Sequence, residues 1–368
     1  MSFLEVFVVM SRVYNFCSGP AALPEEVLLK AQKEMLDWHG VGMSVMEMSH
    51  RSDEFVSVLH SAKARLARLL NINDDYEILF VQGGASSLFA QIPANLMAGY
   101  RSSSYLDTGA WSVKAIKEAT KYGEVQVVAS SKSDNYTHVP SFSDWNIDES
   151  SAYLHITPNE TIGGVEFADL PETNLPIVAD LSSTILSREI DVSRYGMIYA
   201  GAQKNVGPAG VVICIVRKDL LARSQESLPT TWNFANLAAN DSMINTPPTF
   251  AIYLADLVFE WLEQRGGVAA MEAVNIEKSK LLYQAIDNSQ FYSNPIHINS
   301  RSRMNVPFVL ADASLEKTFL AESEVAGLKT LAGHRSVGGM RASIYNAMPL
   351  EGVQALVDFM LSFEKRYG

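Results

Sequence analysis

Short apolar runs alternate with longer amphipathic stretches along most of the chain, a pattern typical of a mostly parallel sheet covered by helices. The stretch 55–70 shows the helical pattern clearly, because its apolar residues recur on one stripe of a helix. The pattern predicts strands at 77–81, 125–128, 152–156, 177–179, 197–200 and 211–216, and helices at 25–38, 55–70, 86–96 and 254–264.

The pattern changes after Gly266 and Gly267. A predicted helix at 269–289 is followed by strands at 305–310 and 340–344 and by an amphipathic helix at 350–365, which is an α+β layout. Because 368 residues exceed the usual size of a single core, two domains are expected. We predict an N-terminal segment 1–24 that packs with the small domain, a large domain at 25–265 and a small domain at 266–368.

The composition excludes several kinds of protein. The net charge of −12 disfavours a nucleic-acid surface, and it means that arginines facing an anionic ligand must be gathered locally. Two cysteines provide neither a disulfide framework nor a metal-binding spacing, so no metal is expected. The opening ten residues are apolar but carry Glu5 and lack a basic start, so we expect no signal peptide and a cytoplasmic location; Met10 offers an alternative start.

A lysine and an aspartate follow two consecutive predicted strands. Desolvation among small residues would lower the pKa of Lys204 and free its amine to form a Schiff base. Asp180 ends its strand at the edge of the sheet where ligands bind. Alone, Lys204 is more simply a loop lysine and Asp180 a helix cap. Together, 24 residues apart, they suit the aldehyde and the ring nitrogen of a pyridoxal cofactor.

Two further features favour such a cofactor. The glycines at 83–84 lie between a strand and a helix, where the backbone can approach an anion at the helix N-terminus. This is neither a Walker loop nor a GxGxxG fingerprint, and a plain tight turn explains it nearly as well. Trp111 offers a stacking face for an aromatic ring, although a core or surface tryptophan is the simpler interpretation of that residue alone.

Six motifs in order carry a family resemblance, at 48–52, 83–86, 158–162, 201–205, 245–248 and 333–343. The chain resembles the phosphoserine aminotransferases within the class V aminotransferases, from residue 15 to the C-terminus. One departure is Ser87, in a segment where the family usually has Gln before Phe. The resemblance implies the fold-type I architecture: an α/β large domain with a mostly parallel seven-stranded sheet, and a smaller C-terminal α+β domain.

The resemblance also implies pyridoxal 5′-phosphate as the cofactor. Lys204 would form the Schiff base and Asp180 would pair with the pyridine nitrogen. Trp111 would stack on the ring, and Thr161 would hydrogen-bond near its hydroxyl. The residues implied to hold the cofactor phosphate are Ala85, Ser86 and Gln203 of one subunit with Asn245 and Thr246 of its partner.

For the substrate, the resemblance implies a homodimer with active sites at the interface. Arg341 would take the α-carboxylate, and Arg335 would take the distal phosphate together with His50 and Arg51 of the partner subunit. Guanidinium groups suit such oxyanions. Any one arginine is more simply a surface charge, but the clustering in an acidic protein favours a binding role. The implied anion-binding set is His50, Arg51, His334, Arg335 and Arg341.

The implied reaction moves the amino group of glutamate to 3-phosphohydroxypyruvate and gives O-phosphoserine, with 4-phosphohydroxythreonine as a further substrate in some bacteria. Alternatives are an aminotransferase for glyoxylate or serine and a cysteine desulfurase, which needs a mobile catalytic cysteine that neither Cys17 nor Cys214 provides. A catalytically silent binding protein is disfavoured because Lys204 and Asp180 are both present.

Overall fold

A computed structural model describes residues 12–167 and 169–368, so the apolar opening and its alternative start Met10 lie outside the described residues. The α-helices of the described part are α1 (Glu25–Lys33), α2 (Asp53–Leu69), α3 (Ala85–Leu96), α4 (Ala110–Ala119), α5 (Lys218–Leu221), α6 (Phe234–Ala239), α7 (Thr249–Gln264), α8 (Gly267–Asp287), α9 (Glu316–Val325) and α10 (Leu350–Tyr367).

The strands of the same residues are β1 (Tyr14–Asn15), β2 (Tyr76–Gly83), β3 (Ser102–Asp107), β4 (Glu124–Ser130), β5 (Leu154–Ile156), β6 (Asn159–Glu160), β7 (Val165–Glu166), β8 (Ile177–Asp180), β9 (Met197–Gly201), β10 (Gly210–Arg217), β11 (Tyr292–Ser293), β12 (Asn305–Leu310), β13 (Leu328–Lys329) and β14 (Met340–Ser343). Short 3-10 helices lie at Lys132–Asp134, Phe142–Asp144, Val192–Arg194, Ile298–Ser300 and Ala313–Leu315.

A seven-stranded sheet in the order β2-β10-β9-β8-β5-β3-β4 forms the centre of the molecule. Its pairs are parallel except those that β10 makes with β2 and β9. β5, β8 and β9 are buried along their whole length, as expected for strands covered on both faces. The predicted α/β fold with a mostly parallel sheet is therefore confirmed.

Several elements differ from the prediction, among them the helices α4 and α9, which were not predicted. The helix predicted at 25–38 ends at Lys33, and the chain turns back through Gly40 and Gly42, which have positive φ. β3 was not predicted, because its three serines hide its strand character. All six of its residues are buried, and the hydroxyls of Ser102 and Ser104 lie 3.3 and 2.9 Å from that of Ser151. Hydrogen bonding inside the core thus lets polar residues occupy a central strand.

The C-terminal part contains a second sheet, β11-β12-β14, which packs with α8 and α10. Its core includes Phe16 from the N-terminal segment, and β1 pairs with β13 through Tyr14↔Leu328. The N-terminal residues thus contact the C-terminal part, while the predicted division at 265/266 stays a prediction. No helix among residues 12–167 and 169–368 is long and apolar enough to cross a membrane.

Candidate active site

The loops that leave the carboxyl ends of the central strands converge on one edge of the large sheet. β8 ends at Asp180 and β9 ends at Gly201, just before Lys204. The hairpin β6-β7 follows β5 at the same edge and carries Thr161 in its turn. Since parallel strands end together, their loops gather residues that are distant in sequence.

Lys204 is a buried lysine held by one neighbouring hydroxyl. Its Nζ donates a hydrogen bond to Thr161 Oγ1 at 2.6 Å and lies 5.8 Å from the ring centroid of Trp111. Burial lowers the pKa of Lys204 to about 8, although the negative charges of Asp180 and Glu160 act in the opposite direction. The predicted desolvation is therefore present, and an appreciable fraction of the side chain is a neutral amine near neutral pH.

Asp180 is buried at the end of β8 and uses one oxygen locally. Its Oδ1 accepts from the backbone N–H of Ser182 at 3.0 Å and from the Ser182 hydroxyl at 2.5 Å. The cap-like contact that the sequence also allowed is thus present, but it leaves Oδ2 for another donor. Ser182 Oγ in turn accepts from the N–H of Gly201, which fixes β8 against the strand before Lys204.

Trp111 lies in the first turn of α4, half-buried, and its indole Nε1 is buried without a hydrogen-bond partner. The N–H groups of Trp111 and Ser112 donate to the carboxylate of Glu160 at 2.9 and 2.8 Å. The ammonium of Lys114 lies 4.0 Å from the Trp111 ring centroid. Sequence reasoning did not single out Glu160, although it lies inside a motif used for the resemblance.

A short turn with open backbone leads from β2 into α3. Gly83 has φ +111°, which favours glycine, and Gly84 caps a helix whose first residues are Ala85 and Ser86. N–H groups at a helix start that have no acceptor within the helix suit a phosphate. Ser87, the departure from the family pattern, donates its hydroxyl to Gly84 O at 2.7 Å and so closes the turn.

The other predicted phosphate residues lie on two sides of this turn. Gln203 is half-buried beside Lys204, and its carbonyl accepts from Ala21 N. Asn245 and Thr246 are exposed. Gln82 Nε2 donates to Thr246 O at 2.5 Å and to Asn245 Oδ1 at 3.4 Å. These contacts hold the Asn245–Thr246 segment near the end of β2, at the molecular surface.

Arg341 is a buried arginine that meets the site through two hydrogen bonds. Its Nη1 donates to Thr161 O at 3.2 Å and its Nη2 donates to Ser18 Oγ at 2.7 Å, while Nε has no partner. Burial lowers its pKa. Tyr345 also holds Ser18 in place, because its hydroxyl donates to Ser18 O at 2.8 Å. Ser18 was not predicted as a site residue, and no sequence signal distinguished it from an ordinary turn serine.

The predicted anion-binding residues are arginines and histidines that form no ion pair with any of the described residues. Partial burial and the positive charges of Arg341, Arg335 and Lys114 lower the pKa of His334. Within the part of the chain that the structure describes, all but four arginines form ion pairs. The four without one are Arg51, Arg223, Arg335 and Arg341.

His50 and Arg51 are not joined to the rest of the site by the hydrogen bonds of a single chain. Arg51 is exposed, and the Nε2 of His50 is buried without a partner. A single chain thus brings together Lys204, Asp180, Thr161, Trp111 and Arg341. Among the described residues, the side chains of His50 and Arg51 have no hydrogen bond or ion pair to this group.

The chain matches the family model for aminotransferase class-V over residues 13–356. It is 76% identical over 359 residues to phosphoserine aminotransferase of Marinomonas sp. (strain MWYL1), covering 98% of this chain and 100% of that protein. The structure is similar to phosphoserine aminotransferase from Bacillus circulans subsp. alkalophilus, with a TM-score of 0.95, 48% identity and coverage of 97% and 99%. It is also similar to pyridoxal-phosphate-bound phosphoserine aminotransferase from Trichomonas vaginalis, with a TM-score of 0.92, 43% identity and coverage of 95% and 100%.

Proposed function

The chain belongs to the class-V aminotransferase family, and from that premise we propose which of its residues carry the reaction. The family resemblance inferred from the motifs is confirmed. The enzyme uses pyridoxal 5′-phosphate and moves the amino group of glutamate to 3-phosphohydroxypyruvate, which gives 2-oxoglutarate and O-phosphoserine. Transamination of 4-phosphohydroxythreonine and a cytoplasmic location stay predictions.

One observation carries the residue assignment: a buried lysine amine and a buried carboxylate lie on adjacent strand ends, with a tryptophan ring close to the amine. Within residues 12–167 and 169–368, Lys204 Nζ has a single hydrogen bond, to Thr161, and its lowered pKa makes it a nucleophile near neutral pH. Asp180 keeps Oδ2 for a donor such as a protonated ring nitrogen.

The residues present fit the cofactor. Trp111 would hold the face of the cofactor ring, Asp180 its nitrogen, Lys204 its aldehyde carbon, and the glycine turn before Ala85 and Ser86 its phosphate. Trp111 Nε1 is a buried donor without a protein partner, as expected if a bound group completes its surroundings. Thr161 and Gln203 would complete the cradle beside Lys204. When bound, pyridoxal phosphate supplies an electron sink that stabilises the carbanion formed at the substrate Cα.

The chain's own residues then have distinct tasks. Arg341 holds the α-carboxylate of the amino acid, because its guanidinium is buried beside Lys204 and Thr161. Lys204 Nζ accepts the proton from the substrate Cα and returns one during the same half-reaction, as general base and then acid. Thr161 Oγ1 orients the Lys204 amine for these transfers. Asp180 keeps the ring nitrogen protonated.

For the distal phosphate we propose Arg335 and His334 of one subunit with His50 and Arg51 of the partner. The proposal is supported by the absence of ion pairs at Arg51 and Arg335, because an oxyanion would supply the missing counter-charge. The family resemblance assigns Asn245 and Thr246 to the cofactor phosphate of the partner subunit, and both are exposed at the surface, where a partner subunit could reach them. Both assignments require a homodimer with its two active sites at the interface.

A complementation experiment tests this arrangement. Lys204→Ala and Arg51→Ala are each prepared as homodimers and assayed with 3-phosphohydroxypyruvate well below KM, where both are expected to have little activity. After unfolding and refolding as a mixture, half of the dimers are hybrids with one intact site, so activity should return to about a quarter of the wild-type value. Activity that stays at the level of the separate variants would place Arg51 in the same subunit as Lys204, or outside the site.

The substrate is tested by coupled turnover with glutamate. Wild-type enzyme should use 3-phosphohydroxypyruvate far better than hydroxypyruvate, because two separate cationic groups meet two anionic ends only in the phosphorylated compound. Equal rates with both compounds would contradict the distal phosphate site and favour a serine or glyoxylate aminotransferase.

A further inference from the structure

Glu160 is a carboxylate that the fold buries completely beside the proposed cofactor site. It lies in β6, immediately before Thr161, the residue that binds the Lys204 amine. Its two oxygens point away from the hairpin to another element, where Oε2 accepts from Trp111 N at 2.9 Å and Oε1 accepts from Ser112 N at 2.8 Å. One side chain therefore connects the lysine side of the site to the tryptophan side.

The surroundings of Glu160 contain no ion-pair partner within the described residues. Burial raises the pKa of Glu160 to about 7, opposed by the hydrogen bonds from Ser112 and Trp111. The titratable groups that face it are Asp180, Lys204 and Tyr136, and its charge raises the pKa of Lys204. A carboxylate at the start of a ten-residue helix is also stabilised by the helix dipole.

The carboxylate of Glu160 packs directly against the backbone at the start of the helix. Gly109 precedes α4, and a Cβ at Gly109 would lie only 2.6 Å from the Glu160 carboxyl carbon. The absence of a side chain at Gly109 is thus what lets the carboxylate reach both N–H groups. The hydroxyl of Ser112 completes the turn by accepting from the N–H groups of Thr108 and Gly109.

We propose that Glu160 is a positioning residue of the active site: its carboxylate clamps the first turn of α4, which fixes the stacking face of Trp111, and places a negative charge beside the cofactor-linked nitrogen of Lys204. The proposal rests on the proposed cofactor roles of Lys204 and Trp111. Glu160 thus has two effects: it fixes the position of Trp111, and its charge acts on Lys204.

Two variants separate these effects. Glu160→Gln removes the charge and places an amide donor against one of the two N–H groups, so it weakens both the clamp and the electrostatic effect. Gly109→Ala keeps the carboxyl group but pushes it off the helix, so it tests the clamp without replacing Glu160 itself. The matched control is Glu166→Gln in the same hairpin, because Glu166 is also buried but contacts Arg188 and Arg303 rather than α4.

The first measurement is the affinity of each apoprotein for pyridoxal phosphate, determined from the quenching of tryptophan fluorescence when the cofactor binds. Loss of one charge-assisted hydrogen bond should weaken binding about 10-fold to 100-fold in Glu160→Gln and Gly109→Ala. Glu166→Gln should bind the cofactor as wild type does, even where its melting temperature falls.

The second measurement is the pH titration of the visible absorbance band of each holoenzyme. Glu160→Gln should move the midpoint down by about one pH unit, because a negative charge beside the Lys204 nitrogen is lost. Glu166→Gln retains the carboxylate of Glu160 in its place and should keep a midpoint near that of wild type.

Each outcome decides the proposal. Wild-type affinity in Glu160→Gln overturns the clamp, and an unchanged midpoint overturns the electrostatic effect. If Glu160→Gln does not fold, Gly109→Ala still tests the clamp, and wild-type affinity in that variant also overturns it. A wild-type enzyme without a lysine-linked absorbance band would instead contradict the proposed role of Lys204, so the two failures can be told apart.

Discussion

Lys204 and Arg341 meet on the same threonine: the lysine Nζ donates to Thr161 Oγ1 at 2.6 Å, and the arginine Nη1 donates to Thr161 O at 3.2 Å. The amine proposed to move the proton and the guanidinium proposed to hold the α-carboxylate are therefore positioned by one residue. Because the two contacts use different atoms of Thr161, substitution of its side chain can separate them.

Thr161→Val should remove the acceptor for Lys204 and leave the carbonyl that binds Arg341. Valine has nearly the same shape, so only the hydroxyl is lost. We expect kcat to fall about 10-fold, because the amine is less well oriented, with little change in KM for glutamate. Steady-state kinetics measures both. The control is Thr184→Val, because the Thr184 hydroxyl is buried without a partner. A rise in KM with kcat unchanged would contradict the assignment.

The lowered pKa of Lys204 predicts how fast pyridoxal phosphate attaches to the apoenzyme at different pH values. Only the neutral amine attacks the aldehyde, and its fraction falls about tenfold for each pH unit below the pKa. With a pKa of about 8, the attachment rate should rise with pH up to about 8 and then level off. Stopped-flow absorbance measures the rate. A rise that continues to pH 10 would indicate an ordinary solvated lysine.

Most of the central sheet could be predicted, because apolar strands buried on both faces differ clearly from amphipathic helices. β12 was predicted with the bounds that the structure shows, and the strand end at Asp180 was placed within one residue. β3 could not be predicted, since its serines are satisfied by Ser151, which lies 47 residues away along the chain from Ser104. Hydrogen bonds between distant residues leave no trace in local hydropathy.

The residues of the candidate site likewise divide into those that the local sequence reveals and those that depend on contacts between distant residues. Lys204 and Asp180 could be proposed from the sequence because each follows or ends an apolar strand at the edge where ligands bind. Glu160 and Ser18 could not, because their roles depend on contacts with Trp111 and Arg341 that only the folded chain creates. Roles assigned to His50, Arg51, Asn245 and Thr246 come from the family resemblance and depend on a second subunit.

Asp180→Asn should show whether Asp180 acts through its negative charge or only through its hydrogen bonds to Ser182. An asparagine Oδ1 can still accept from Ser182, but the side chain no longer stabilises a protonated ring nitrogen. We expect turnover to fall about 100-fold to 1,000-fold with little change in melting temperature. Asp191→Asn is a matched control, because Asp191 Oδ1 accepts from Ser193 N and Oγ in the same local pattern, at an exposed site. Similar activity losses in both variants would reduce Asp180 to a cap.

Arg335→Ala should separate recognition of the phosphate from the chemistry of transamination. Arg335 is exposed and lacks an ion pair, and its charge acts on His334 together with that of Arg341. We expect KM for 3-phosphohydroxypyruvate to rise about 10-fold to 100-fold, because charge-assisted hydrogen bonds to the phosphate are lost. The kcat/KM for hydroxypyruvate, which lacks the phosphate, should change little.

The control for Arg335→Ala is Arg223→Ala. Arg223 also has no ion pair among the described residues, but its Nη1 donates to Ala152 O and its guanidinium lies 4.7 Å from the ring centroid of Tyr100. Its loss should leave the ratio of kcat/KM for the two substrates unchanged. Equal losses for phosphorylated and unphosphorylated substrates in Arg335→Ala would mean that Arg335 does not bind the phosphate. In that case Arg51 and His50 of the partner subunit would have to hold it without Arg335.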